Sequence, residues 1–186
     1  LALITLLAAA TRGLYLAQPM LHDEAYTFIA FASRPLLAAI SDYALPNNHI
    51  FHTLLVYLAY HLLGNQPWII RLPAFVAGVA IVPLTYVTAG CFYNRKAGLL
   101  SAGLVAAAPL LIDYSANARG YTLVCALTLC AAALAAYVKD HRNGIAWALL
   151  ALTCALGFYT IPIILYPAGL LVVWLALSGL FSDTSR

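Results

Sequence analysis

Few residues in this chain could do chemistry, and they fall into small groups. His22-Asp23-Glu24 sets two adjacent carboxylates just after an apolar run. Such a pair can serve as a general base and its orienter, as a metal ligand or as a substrate anchor. The alternative is a solvated turn in which Asp23 caps the helix starting at Ala25. A second group is Asp113-Tyr114-Ser115-Ala116-Asn117-Ala118-Arg119-Gly120-Tyr121, between two apolar runs. Arg119 suits phosphate, because its planar fork donates two parallel hydrogen bonds and stays charged at any pH. It could equally pair with Asp113 or snorkel to lipid headgroups.

His49 and His52 lie three residues apart. With Glu24 or His22 they could hold a divalent metal, the one cofactor the residues suggest; otherwise they belong to the polar face of an interfacial helix. Arg71, in Trp68-Ile69-Ile70-Arg71-Leu72-Pro73, reads as a membrane anchor beside Trp68, or as a residue of the site.

The elements that position these groups follow from composition. Of 186 residues, 65% are apolar and 8% charged. Soluble domains carry roughly 25% charge, so soluble globular and disordered classes are excluded, and an all-α, polytopic transmembrane bundle remains. Net charge is only +3 with no basic stretch, so nucleic acid is not an expected partner. Cys91, Cys125, Cys130 and Cys154 sit in apolar runs without metal-like spacing and read as small apolar residues.

A spanning helix needs about 17–25 mostly apolar residues. Leu1 to Leu16, broken only by Arg12, reads as the remnant of a first span. The others are Leu72 to Asn94, Ala97 to Ile112, Gly120 to Val138, and Asn143 to Ser182 as two spans split at Gly157-Phe158-Tyr159-Thr160-Ile161-Pro162. That makes about six, the first truncated. The chain opens on Leu1 inside an apolar run, so 1–186 is expected to be part of a longer protein, and inactive by itself.

Ile50 to Leu63 is apolar but short. Phe51, Leu54, Leu55, Leu58 and Leu62 share one helical face, with His49, His52, Thr53 and Tyr60 on or near the other, the pattern of a helix lying in the interface. Charge supports this. If the segment does not span, Arg95, Lys96, Lys139, Arg142 and Arg186 share the inner side with Asp140 and Asp183, net +3. Arg12, Arg34, Arg71 and Arg119 then balance Asp23, Glu24, Asp42 and Asp113 outside. Residues 17–68 become one outer loop of short juxtamembrane helices: Ala25–Ala32, Leu36–Ile40 and Ile50–Leu63, separated by Ser33-Arg34-Pro35 and Leu45-Pro46-Asn47-Asn48.

The ordered set of Asp23-Glu24, an amphipathic outer loop, Gly64 to Pro73, Asn94-Arg95-Lys96 and the Tyr114 to Tyr121 cluster resembles the N-terminal half of family 39-type, GT-C fold glycosyltransferases. That group includes protein O-mannosyltransferases, lipid A aminoarabinose transferases and Rgt-type galacturonosyltransferases. The resemblance covers nearly the whole chain, including the Tyr159-Thr160-Ile161-Pro162 turn. It implies an integral membrane enzyme that moves a sugar from a polyprenyl-phosphate donor to a lipid, glycan or protein hydroxyl, with inversion, on the outer face of a bacterial plasma membrane. By that similarity Asp23 is the base, Glu24 supports it, and Arg119 holds the lipid phosphate. Tyr121, Asn48, His49 and Arg71 are the further substrate-binding candidates, and Glu24 and His49 the possible metal ligands. Members often carry His-Pro-Pro, or an acidic residue followed by Lys-Pro-Pro, where this chain has Asn47-Asn48-His49-Ile50; that departure argues against the aminoarabinose branch and leaves the acceptor open. The competing readings are a transporter fragment or a non-catalytic scaffold subunit.

Overall fold

The computed structural model describes residues 1–42 and 47–183. Leu45-Pro46, expected to separate two outer helices, and Arg186, counted on the inner side, lie outside the described residues. Among those described, every regular element is a helix. They are α1 (Ala2–Gly13), α2 (His22–Thr27) continued by a π turn (Phe28–Ala32), α3 (Leu36–Ser41), α4 (Ile50–Leu63), α5 (Pro67–Phe92), α6 (Arg95–Ala107), α7 (Pro109–Ser115), α8 (Tyr121–Asp140), α9 (Gly144–Thr160), a short 3₁₀ turn (Pro162–Ile164) and α10 (Leu165–Asp183). All four cysteines are free.

Among the described residues, three helical stretches are long and apolar enough to cross a membrane: α5, α8 and Pro162–Leu180. α6 and α7 qualify only as a pair, bent by 63°. α9 has 17 residues, at the lower end of the spanning range, and α1 has 12. The six expected rods are therefore present in order, but length alone identifies three or four of them as spans. The last break falls where Gly157 to Pro162 placed it: α9 ends at Thr160 and Pro162 opens the 3₁₀ turn.

The expected straight run through Ile112 is instead broken at Ala108. Pro109 has no N–H, and its ring clashes with the carbonyl four residues back. Two carbonyls of the last α6 turn are taken up by Arg12, which donates from Nη2 to Val105 (3.2 Å) and from Nη1 to Ala106 (3.1 Å). Its Nε reaches Ser115 Oγ at 3.1 Å, so one buried guanidinium ties α1 across the break to α7.

α5 is the central helix and packs on α1, α4, α6, α7 and α8. Alanines let neighbours approach closely, as in the α8–α9 seam of Ala131, Ala135, Ala146 and Leu150. The burial pattern is the reverse of a soluble protein. Leu3, Leu14, Leu62, Tyr166 and Leu170 face outward, whereas Arg12, Glu24, His52, Arg71 and Thr122 are buried. Ionisable groups with apolar walls around them mark the interior of a membrane bundle. α4 follows the same rule: His52, Thr53 and Val56 point inward, and Leu58, Leu62 and Leu63 outward.

Candidate functional site

Glu24, His49, His52, Arg71 and Arg119 converge at one end of the bundle, where α1 ends, α5 and α8 begin and α9 ends. Glu24, in the first turn of α2, is fully buried. Its Oε1 accepts from Arg71 Nε (2.8 Å) and from the Ala118 backbone N–H (2.7 Å). Its Oε2 accepts from Arg71 Nη2 (2.7 Å) and from the Leu21 N–H (2.8 Å), the latter closing the start of α2. Arg71 donates its remaining hydrogens to the carbonyls of Leu16 (2.9 Å), Gln18 (2.7 Å) and Pro19 (3.1 Å). All five guanidinium N–H groups are thereby spent. The pair joins the exit of α1, the start of α2, the start of α5 and the residue before Arg119.

This arrangement separates the two adjacent carboxylates. Glu24 is saturated, each oxygen already accepting two N–H groups. Asp23 has a side chain 72% exposed, and among the described residues its one ion-pair neighbour is His22 Nδ1 at 3.8 Å. Of the pair, Asp23 is the free one. Arg71 is buried and paired; Trp68, its expected anchoring companion, is half exposed.

Arg119 is in the opposite state to Arg71. It is buried, yet among the described residues no carboxylate lies within ion-pair distance of it. Its Nη1 reaches Thr27 Oγ1 at 3.5 Å, and its Nη2 reaches Asn47 Oδ1 at 3.5 Å and Tyr121 Oη at 3.4 Å. Nε has no partner. These are long contacts for a guanidinium, whose charged bonds normally close to about 2.7–2.9 Å. The Tyr121 ring sits 5.6 Å from the guanidinium carbon and packs on Tyr114 and His49. Asp113, a possible partner by sequence, is exposed on α7.

The Asn47-Asn48-His49 segment divides its work. Asn48 Nδ2 donates to the Ala39 and Asp42 carbonyls, and its Oδ1 accepts from Thr53 Oγ1 at 2.7 Å. Asn48 thus ties α3 to α4, and it is Asn47 that reaches Arg119. His49 Nδ1 accepts the Gly120 N–H at 2.9 Å. A Cβ on Gly120 would lie 2.7 Å from Thr160 Cγ2 and 3.1 Å from His49 Nδ1, so only glycine fits there. Burial, helped by the charge of Arg119, pushes His49 down to about 4. Burial, then His49 and Arg119, push His52 down to about 3. Both imidazoles are neutral at pH 7. His52 is wholly enclosed beside Glu24, Thr27 and Ala118, with neither ring nitrogen partnered among the described residues.

Sequence reasoning missed Asn47, the enclosed state of His52 and the role of Arg12. Only Arg12 left a usable signal, as a charge inside an apolar run.

The donor set does not fit a divalent metal at Glu24 and His49. Both Glu24 oxygens and His49 Nδ1 already accept N–H groups, and among the described residues no three of His, Cys, Asp and Glu cluster as ligands.

A family profile described as dolichyl-phosphate-mannose-protein mannosyltransferase matches residues 47–184. The chain belongs to this family. No curated protein matches the sequence. No solved structure matches it either. Membership in the mannosyltransferase family makes it a multi-pass membrane glycosyltransferase of the GT-C group. The matched stretch of this mannosyltransferase-family chain holds Asn47, His49, Arg71, Arg119 and Tyr121 but starts after Asp23 and Glu24. It is the Glu24 bonds to Arg71 and Ala118 that bring the acidic pair to the family's segment.

Proposed function

We propose that this chain carries the reaction centre of a transferase that moves a sugar from a polyprenyl-phosphate donor to a hydroxyl on a lipid, glycan or protein acceptor. The observation that carries this reading is Arg119: buried, weakly bonded, without a carboxylate partner among the described residues, and fixed next to a residue that Glu24 holds. A buried cation without an anion is costly unless a ligand supplies one. A phosphate supplies both the charge and the paired oxygens that the fork is shaped to meet.

The chemistry follows from the exposed carboxylate of Asp23 and the guanidinium of Arg119. Asp23 takes the proton of the acceptor hydroxyl as its oxygen attacks the anomeric carbon. The bond from that carbon to the phosphate oxygen breaks, and its electron pair stays with the phosphate. Arg119 stabilises the charge that grows there. A single displacement with one base inverts the anomeric centre. Balance of basic residues supports an extracytoplasmic site, since Arg95, Lys96, Lys139 and Arg142 all lie at the other end of the helices.

The test is transfer from mannosyl-phosphoryl-undecaprenol in membranes carrying the full-length protein. Arg119→Lys, which exchanges a fork for a point charge, should raise the donor KM or lower kcat about tenfold or more while leaving acceptor KM unchanged. Unchanged donor kinetics would overturn the reading.

A further inference from the structure

The Gly120 N–H fixes more than the position of His49. A neutral imidazole has one N–H and one bare nitrogen. Because Nδ1 accepts from Gly120 at 2.9 Å, Nδ1 is the bare one and the proton resides on Nε2. Nε2 has no hydrogen-bond partner among the described residues. The His49 ring packs edge-on against Tyr121 with centroids 5.2 Å apart, and Tyr121 Oη touches Arg119 Nη2 at 3.4 Å. The ring therefore belongs to the cluster around the free guanidinium, and it is close enough to Arg119 for that charge to act on it.

We propose that His49 is a second catalytic donor, which donates a hydrogen bond from its Nε2–H to the lipid phosphate beside Arg119 and which the Gly120 N–H holds in that tautomer. This rests on the phosphate reading of Arg119 and adds to it. The bound donor is a phosphodiester with one negative charge, and the departing polyprenyl phosphate carries a second. A neutral N–H adds little to holding the first and strengthens as the second develops, so its contribution is weighted toward the transition state and the product. The electron pair of the broken bond goes to the phosphate oxygen, the acceptor proton goes to Asp23, and His49 keeps its own proton throughout.

Two variants separate this role from packing. His49→Asn keeps an oxygen where Nδ1 accepts the Gly120 N–H but removes the Nε2 donor. His49→Gln restores an N–H near the Nε2 position and gives up the Nδ1 acceptor. Binding is measured on the full-length protein in nanodiscs, with undecaprenyl phosphate and mannosyl-phosphoryl-undecaprenol as probes. His49→Asn should weaken undecaprenyl phosphate about tenfold, the size of one charge-assisted hydrogen bond, with the mannosyl ester changed about twofold or less. His49→Gln should recover most of that loss. The proposal is overturned if His49→Asn melts like the parent protein and binds both lipids unchanged, or if it weakens both equally and His49→Gln recovers nothing. If Arg119→Lys weakens both probes while His49→Asn affects neither, the phosphate site stands and His49 has no part in it. If the parent protein binds neither lipid, the reading of Arg119 falls, and this one with it.

Discussion

Glu24 and Arg71, 47 residues apart in sequence, meet as a buried two-bond fork of 2.8 and 2.7 Å. Through Ala118 N–H and three carbonyls, that fork fixes where Asp23 and Arg119 stand relative to each other. Asp23 and Arg119 each adjoin in sequence a residue it holds, Glu24 and Ala118.

Breaking this fork should unfold that end of the bundle before it affects chemistry. Arg71→Met leaves a buried carboxylate alone, at a cost of about 3–5 kcal/mol. Glu24→Gln strands the guanidinium similarly. The Glu24→Gln/Arg71→Met double variant should lose less than the sum of the two, a coupling readable from melting temperatures in one detergent. Additive losses would mean that the pair is not an energetic unit.

Asp23→Asn should behave differently. The side chain is 72% exposed and only faces His22, so the melting temperature should stay within about a degree or two. Sugar transfer should fall by roughly 10²–10⁴, the typical worth of a general base. Near-parental turnover would remove Asp23 from the base role.

Gly120→Ala adds one methyl group against Thr160 Cγ2 at 2.7 Å and His49 Nδ1 at 3.1 Å. Either α9 or His49 must give way, with a stability loss of about 1–3 kcal/mol. Gly103→Ala, where a Cβ meets nothing within 4 Å, is the control and should be neutral or slightly stabilising.

Stability should fall on mild acidification. His49 and His52 titrate at about 4 and about 3 when folded, against about 6.5 when unfolded. Below pH 6.5 the unfolded chain binds protons that the folded chain refuses, so the stability present above that pH drains away as pH drops toward 4 and then 3. Melting temperatures from pH 8 to 5 should be flat and then decline. The decline should be shallower in His52→Met, and an unaltered slope in that variant would contradict the enclosed, neutral state of His52.

Topology has its own readout. In a background with the four native cysteines replaced, His22→Cys and Tyr121→Cys should react with an impermeant thiol reagent from one side, and Lys96→Cys from the other. Both positions are at least one-third exposed. Labelling of the first two from opposite faces would separate Asp23 from Arg119 by a bilayer.

The sequence by itself determined the class, the order of the helices, most of their ends and which scarce polar residues are candidates for a site. These rest on local quantities: runs of apolar residues, Pro162 after Gly157, and the scarcity of charge that makes Asp23, Glu24 and Arg119 conspicuous. Tertiary structure alone decided the state of each polar group. It made Glu24 a saturated clamp and Asp23 a free carboxylate, although the two are neighbours. It paired Arg71 and left Arg119 without an anion among the described residues. It spent Asn48 on the Ala39 and Asp42 carbonyls and turned Asn47 to the site, and it bent α6 from α7 over Arg12. Each of these outcomes depends on which hydrogen-bond partner arrives from a distant segment, up to 103 residues away for Arg12 and Ser115. A hydrogen bond to a remote carbonyl leaves no mark on local hydrophobicity or spacing, so no reading of the chain alone could assign it.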